Sequence, residues 1–190
     1  MPHSTALDPA ETVLLIVDMQ EKLLPKILGA DALTRNAAFL LDAAKLLDVH
    51  VVGTEQYPKG LGPTVSEIAK RLPEKRAEKT GFSCACVEGL TDSLRKLDKF
   101  RVVLVGIETH VCVLNTALDL IAEDFWVYLP IDALGSRYAI DHDTALRRME
   151  SAGAVLTTAE TTVFEWLKDA KHPRFKEASG LVQQRMKEMA

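Results

Sequence analysis

Five apolar, β-branched runs recur at wide intervals along the 190 residues, and each is followed by a stretch with helical spacing. The runs are Val13–Val17, Val49–Val52, Arg101–Val105, Phe125–Leu129 and Ala154–Thr157. Their near-continuous apolarity is that of strands buried on both faces, the pattern of a parallel sheet. Between them, Ala37–Leu47 places Leu40, Leu41, Ala44 and Leu47 three and four residues apart, which makes one apolar helical face. Leu90–Leu97, Cys112–Ile121 and Asp141–Ser151 read the same way, the last stopped by Gly153. Strand then helix, repeated, implies parallel βαβ units with right-handed crossovers and helices on both sides. Arg76–Lys79 is a further short strand candidate. The tail reads as a helix from Thr161 to about Lys168, then His172-Pro173, then an amphipathic helix from about Phe175.

No repeat and no low-complexity linker divides the chain, so residues 1–190 are expected to form one α/β domain, with a core of about 12–168 and a helical tail of about 169–190. A net charge of −4 offers no basic stripe to meet phosphates, so nucleic acid is not an expected partner. The locally basic Lys70–Lys79 segment is interleaved with Glu74 and Glu78 and reads as a solvated loop. Met1–Glu11 lacks the basic-then-apolar order of a secretory leader, and no apolar run nears the roughly 18 residues of a membrane helix. Three cysteines in a chain this large fit a reducing, cytoplasmic setting. Cys84 and Cys86, one residue apart, have the wrong spacing for a zinc knuckle or a redox pair and read as small core residues.

In an open parallel sheet, chemistry sits beyond the carboxyl ends of the strands, where the winding reverses. The first run ends in Asp18-Met19-Gln20, a later segment reads Glu78-Lys79-Thr80-Gly81-Phe82-Ser83, and the third run leads through Gly106–Val111 to Cys112 at a helix start. A cysteine there feels the positive end of the helix dipole. With a lysine alongside, the thiolate is expected to be favoured and the pKa to fall below the usual value of about 8.5. A carboxylate then serves as base, and backbone N–H groups hold an oxyanion. Each residue also has a plain structural reading: core cysteine, helix-capping acid, surface lysine.

At these positions the chain resembles the isochorismatase-like cysteine hydrolase superfamily, through Val17-Asp18-Met19-Gln20, Lys79–Ser83 and Gly106–Val113. Thr54–Gly62 and Asp169–Lys176 are similar to its uncharacterised isochorismatase-domain branch. The likeness runs from about Thr12 to Lys176. It implies a three-layer α/β/α sandwich around a six-stranded parallel sheet, a triad of Asp18, Lys79 and Cys112, and a cis peptide at Ile107–Glu108 that turns the N–H groups of Glu108 and Cys112 into an oxyanion hole. It also implies a homo-oligomer, a dimer or larger. Gln20, Gln56, Tyr57, Phe82 and Glu108 are the expected substrate-binding residues.

Departures from the family pattern narrow the chemistry. Nicotinamidase-like members carry an aspartate and two histidines after the second strand as a metal site. Here the segment reads Thr54-Glu55-Gln56-Tyr57-Pro58, with no histidine between His50 and His110. No metal and no organic cofactor are expected. True isochorismatases lack the cysteine, so Cys112 aligns the chain with the amide-cleaving members. The expected function is therefore hydrolysis of a C–N bond in a small amide or ureido compound through a thioester. The alternatives are a catalytically silent binding or assembly module, hydrolysis of an isochorismate-like ether, and a thiol redox role. Among neighbouring residues, His110 competes with Asp18 as base but reads as structural or pocket-lining. Arg137 reads either as a partner for a substrate carboxylate or as half of an ion pair, with Asp132 or a similar acid, that braces its loop. Gly60 and Gly62 do not form a dinucleotide fingerprint, because no strand directly precedes them and Pro63 follows.

Overall fold

Strand alternation sorts the apolar side chains into two layers. In β1 (Thr12–Val17) every residue is buried, and successive side chains point to opposite faces. Leu14 and Ile16 enter one core, while Val13, Leu15 and Val17 enter the other. β4 (Arg101–Ile107) does the same with Val103, Val105 and Ile107 against Val102 and Leu104. A strand apolar on both sides needs a cover on both sides, at about 1.5–3 kcal/mol for each large aliphatic side chain buried. The helices supply it. The computed structural model describes residues 6–189, so residues 1–5 of the segment read for a leader lie outside the described residues.

The sheet runs β3 (Ala77–Lys79), β2 (His50–Gln56), β1, β4, β5 (Trp126–Pro130), β7 (Val155–Thr157), every pairing parallel. This is the six-stranded path the resemblance implies. A two-residue seventh strand, β6 (Leu134–Gly135), pairs with β4 beyond the end of β5. One face is covered by α1 (Ala30–Leu46), α7 (Ala159–Leu167) and α8 (Phe175–Met189); the other by α4 (Leu90–Lys96), α5 (Leu114–Ala122) and α6 (Ala139–Ser151). Two single-turn helices, α2 (Pro58–Leu61) and α3 (Ser66–Ala69), lie between β2 and β3. The tail helix α8 folds back on its own chain: Ala178 is buried in the core shared with α1, and Arg185 reaches Asn36, Asp132 and Glu160.

Three boundaries differ from the sequence reading. α1 begins seven residues earlier, straight after Gly29 in the left-handed conformation (φ 68°). β2 continues from Val52 to Gln56, although its last three residues are polar, because it pairs with β1 on one side and β3 on the other. The helix expected at Cys112 opens earlier, as a π-helical turn over Thr109–Val113 that runs into α5.

The winding reverses between β1 and β4, so their carboxyl ends flank the crevice that such sheets use for chemistry. Close approach there depends on Gly106. It sits at φ 124°, and a Cβ on it would lie 2.2 Å from the Val17 carbonyl oxygen. Alternation along β2 matters equally. Thr54 and Gln56 face one way, and Glu55 between them faces the other, accepting hydrogen bonds from the Thr64 N–H and hydroxyl and from Arg76.

Two outcomes follow for stability. Gly106→Ala should cost about 3 kcal/mol or more in denaturant unfolding, through a backbone clash added to an unfavourable φ; a loss under about 0.5 kcal/mol contradicts the packing described. Burial opposes ionisation of Glu55, but its hydrogen bonds and Arg76 outweigh this and hold its pKa below the ordinary 4.5. The charged form is therefore the one that folding favours, so this stability is present above pH 4.5 and is lost as pH falls below it. Glu55→Gln should remove about 1 kcal/mol at pH 7, with the gap to the parent protein closing in acid.

Candidate active site

Four strand ends converge on one point. Val17 is in register with Thr54 on β2 and with Gly106 on β4, and Gln56 is in register with Lys79 on β3. Asp18 follows Val17 in a left-handed conformation (φ 51°). Its Oδ2 accepts from Lys79 Nζ at 2.7 Å, and its Oδ1 accepts from the Thr54 hydroxyl at 2.8 Å. The Asp18 and Lys79 side chains are 0% and 1% exposed. An ion pair that deep survives only with its remaining hydrogen-bonding capacity filled. Lys79 Nζ donates to Gln56 Oε1 at 2.6 Å and to the Phe82 carbonyl at 3.1 Å, which completes the set.

Cys112 arrives from the other side of the crevice, in the π-helical turn after β4. It keeps 6% of its surface open, and its Sγ lies 3.9 Å from Gln56 Oε1. The Ile107–Glu108 peptide is cis, as the resemblance implies. The Glu108 carbonyl accepts from the N–H groups of Val111 and Val113. The turn is tied back by Thr116, whose hydroxyl donates to the Cys112 carbonyl at 2.6 Å and accepts from the Cys84 N–H at 2.8 Å.

The electrostatics reverse one expectation. Burial pushes the Cys112 thiol well above its ordinary value, and the Asp18 carboxylate adds in the same direction; Lys79 opposes both and loses. A helix dipole and one ammonium, the grounds for expecting a lowered pKa, do not offset desolvation plus a neighbouring negative charge. The resting sulfur is a thiol beside a carboxylate. Burial likewise works against the Lys79 ammonium, yet Asp18 together with Cys84 and Cys112 outweighs it, and the pKa is raised. Cys84, fully buried, is pushed up to about 11 by burial first and Asp18 second.

The other expected site residues divide into interior and rim. Gln20 is fully buried, its amide spent on the Gln56 backbone N–H and carbonyl and on the Gly62 carbonyl. Gln56 gives Oε1 to Lys79 and Nε2 to the Thr80 carbonyl. Tyr57 and Phe82 stand at the surface, 54% and 58% exposed. A cleft of about 340 Å³ runs past Tyr57, Pro58, Lys59 and Glu78 to Lys79 and Thr80. Glu108 pairs with Arg137 at 2.8 Å. Arg137 is thus half of an ion pair, with Glu108 in place of Asp132. Asp132 holds Arg185, and its other oxygen accepts from the Ala159 N–H that starts α7. His110 turns to Ser136 and Asp141. Among the described residues, no group of three or more His, Cys, Asp or Glu side chains comes together to hold a metal. Nor is any described helix long and apolar enough to cross a membrane.

Thr54 and Thr116 are contributors that the sequence reading passed over. Thr54 lies two residues before Gln56 on the same face of β2, and Thr116 lies one helical turn after Cys112. Those spacings were the available signal. Of the two cysteines read as core residues, Cys86 is exposed and Cys84 is buried, 3.6 Å from the Thr54 hydroxyl that holds Asp18.

Comparison with known proteins identifies the family and matches the fold. The isochorismatase domain model matches residues 12–161. Isochorismatase domain-containing protein 2 of Xenopus laevis is 43% identical over 178 residues, covering 93% of this chain and 85% of the relative. The structure of the MAR1 ribonuclease from Caenorhabditis elegans superposes with a TM-score of 0.88 at 38% identity, covering 94% of this chain and 92% of that one. The YcaC gene product of Escherichia coli, described as an octameric hydrolase of unknown specificity, superposes with a TM-score of 0.83 at 26% identity, covering 97% of each chain. With a family model spanning most of the chain and relatives above 40% identity along nearly all of it, the chain belongs to the isochorismatase domain family, a family of hydrolases.

Proposed function

We propose that this chain hydrolyses a C–N bond of a small amide or ureido compound through a thioester on Cys112. The observation that carries the reading is the Asp18–Lys79 pair, buried at 2.7 Å beside a nearly buried cysteine whose pKa is raised by burial first and by that same aspartate second. A protonated thiol next to a carboxylate is a nucleophile and its base in the resting state.

As the sulfur attacks the substrate carbonyl, its proton passes to Asp18 and the carbonyl oxygen takes the negative charge. The N–H groups of Glu108 and Cys112 hold that oxyanion. Collapse breaks the C–N bond, Asp18 returns the proton to the departing amine, and the acyl group stays on sulfur. Water then adds to the thioester, giving its proton to Asp18; a second collapse releases the acid and restores the thiol. The Lys79 ammonium, fixed within reach of both groups, offsets the charge on sulfur while Asp18 is protonated. Tyr57, Phe82 and Glu108 form the rim that meets the substrate, and Gln20 and Gln56 act from behind. The octameric relative supports a homo-oligomeric state here too.

Against a panel of small amides and ureides, Cys112→Ala should lose roughly 10³-fold or more in turnover while remaining folded by circular dichroism. Undiminished acid release by that variant would remove the mechanism. RNA belongs in the same panel, because the Caenorhabditis elegans relative carries the name ribonuclease; RNA cleavage unaffected by the alanine would count against the amide reading. The thiol itself offers a test without substrate. Because Cys112 is held above the ordinary 9.0, its alkylation by iodoacetamide, followed by peptide mapping, should still be accelerating at pH 9. A plateau reached below pH 7 would show a resting thiolate instead.

A further inference from the structure

The triad is joined through a fourth side chain that takes no part in the proton transfers. Gln56 ends β2 opposite Lys79, and both ends of its amide are fixed: Oε1 accepts from Lys79 Nζ at 2.6 Å, and Nε2 donates to the Thr80 carbonyl at 2.7 Å. The orientation is forced, because an ammonium only donates and a carbonyl only accepts. Its backbone is clamped by Gln20, which takes the Gln56 N–H on Oε1 at 2.8 Å and gives Nε2 to the Gln56 carbonyl at 3.0 Å. The Oε1 that holds Lys79 is also 3.9 Å from Cys112 Sγ.

The formal charges explain why an amide stands here. With Asp18 negative, Lys79 positive and the thiol neutral, the cluster sums to zero. Moving the proton from sulfur to Asp18 leaves a neutral acid, a positive lysine and a negative sulfur, again zero. A second carboxylate in contact with Lys79 would make both sums −1 and put the excess beside the sulfur, opposing the step.

Resting on the reading of Cys112 as nucleophile, we propose that Gln56 is a positioning residue: a neutral acceptor that pins the Lys79 ammonium between Asp18 and Cys112 without neutralising it, so that its charge stays available to the sulfur. Glu55, adjacent in sequence but on the opposite face of β2, carries the carboxylate that braces the loop. The strand therefore keeps its negative charge on the side away from the thiol.

The test compares full-length parent protein, Gln56→Glu and Gln56→Met, with folding checked by circular dichroism. Alkylation of Cys112 is followed at pH 8 with neutral iodoacetamide and anionic iodoacetate. Gln56→Glu should react at least tenfold more slowly with iodoacetamide, and its iodoacetamide-to-iodoacetate rate ratio should rise threefold or more. Gln56→Met, neutral but without the amide oxygen that accepts from Lys79, should also slow with iodoacetamide because the pin is lost, but by less than Gln56→Glu and with an unchanged ratio. Purely structural damage would slow both variants alike and leave the ratios untouched. Equal slowing of the two variants, or a Gln56→Glu rate within twofold of the parent, overturns the proposal. If Gln56→Glu does not fold, Gln56→Asp carries the same expectation, and an unchanged iodoacetamide-to-iodoacetate ratio in whichever acidic variant folds overturns the proposal. No substrate enters the measurement. A failed amide assay would therefore remove the hydrolytic reading and leave this result standing, and the reverse holds equally.

Discussion

An ion pair removed from water organises this molecule. Desolvating the Asp18 carboxylate and the Lys79 ammonium costs several kcal/mol for each, and their attraction offsets this only in good geometry with every remaining donor and acceptor engaged. The surroundings meet that condition one contact at a time: Thr54 on the carboxylate, and Gln56 and the Phe82 carbonyl on the ammonium. Each partner comes from a different strand end or the loop after it. Their meeting therefore depends on the parallel register of β1, β2 and β3. Breaking one contact leaves a buried charge short of a partner, a far larger penalty than the pair's own net worth.

The same low-polarity setting governs the sulfur. Cys112 is near a helix start and near a lysine, and both favour a thiolate. It is also nearly buried and faces Asp18, and those two effects prevail. The resting thiol follows from magnitudes: a helix end contributes a fraction of a kcal/mol to about 2 kcal/mol, whereas burial moves a pKa by several units. In the mechanism proposed above, such a site holds the sulfur as a thiol until a carbonyl is in place and the proton can move to Asp18.

Much of this was legible in the sequence. Apolar runs with β-branched residues mark strands wherever they lie in the middle of a sheet, so β1, β4 and β5 were found nearly to the residue. The ends of β1 and β4 then pointed to Asp18 and Cys112, the segment between them offered Lys79, and the family resemblance joined the three as a triad. What escaped depends on neighbours remote in sequence. β6 is two residues long and owes its existence to β4. The polar end of β2 is a strand because two partners flank it. Arg137 chose Glu108 over the nearer Asp132, since Asp132 is occupied by Arg185 from the last helix. The two hydrogen bonds that fix the Gln56 amide depend on Lys79 and Thr80, which only the pairing of β2 with β3 brings alongside. The direction of the thiol shift was missed for the same reason: a dipole is a local property, and burial is not.

The central claim is that Cys112 forms a covalent bond to the acyl part of a substrate. The most direct measurement is rapid acid quench of the protein turning over a small amide or ureide, followed by intact-mass and peptide analysis. The account predicts a mass increase equal to the acyl group, confined to the peptide carrying Cys112 and removed by hydroxylamine. Turnover of the same compound with no adduct on Cys112, or with the adduct on Cys84 or Cys86, would contradict it.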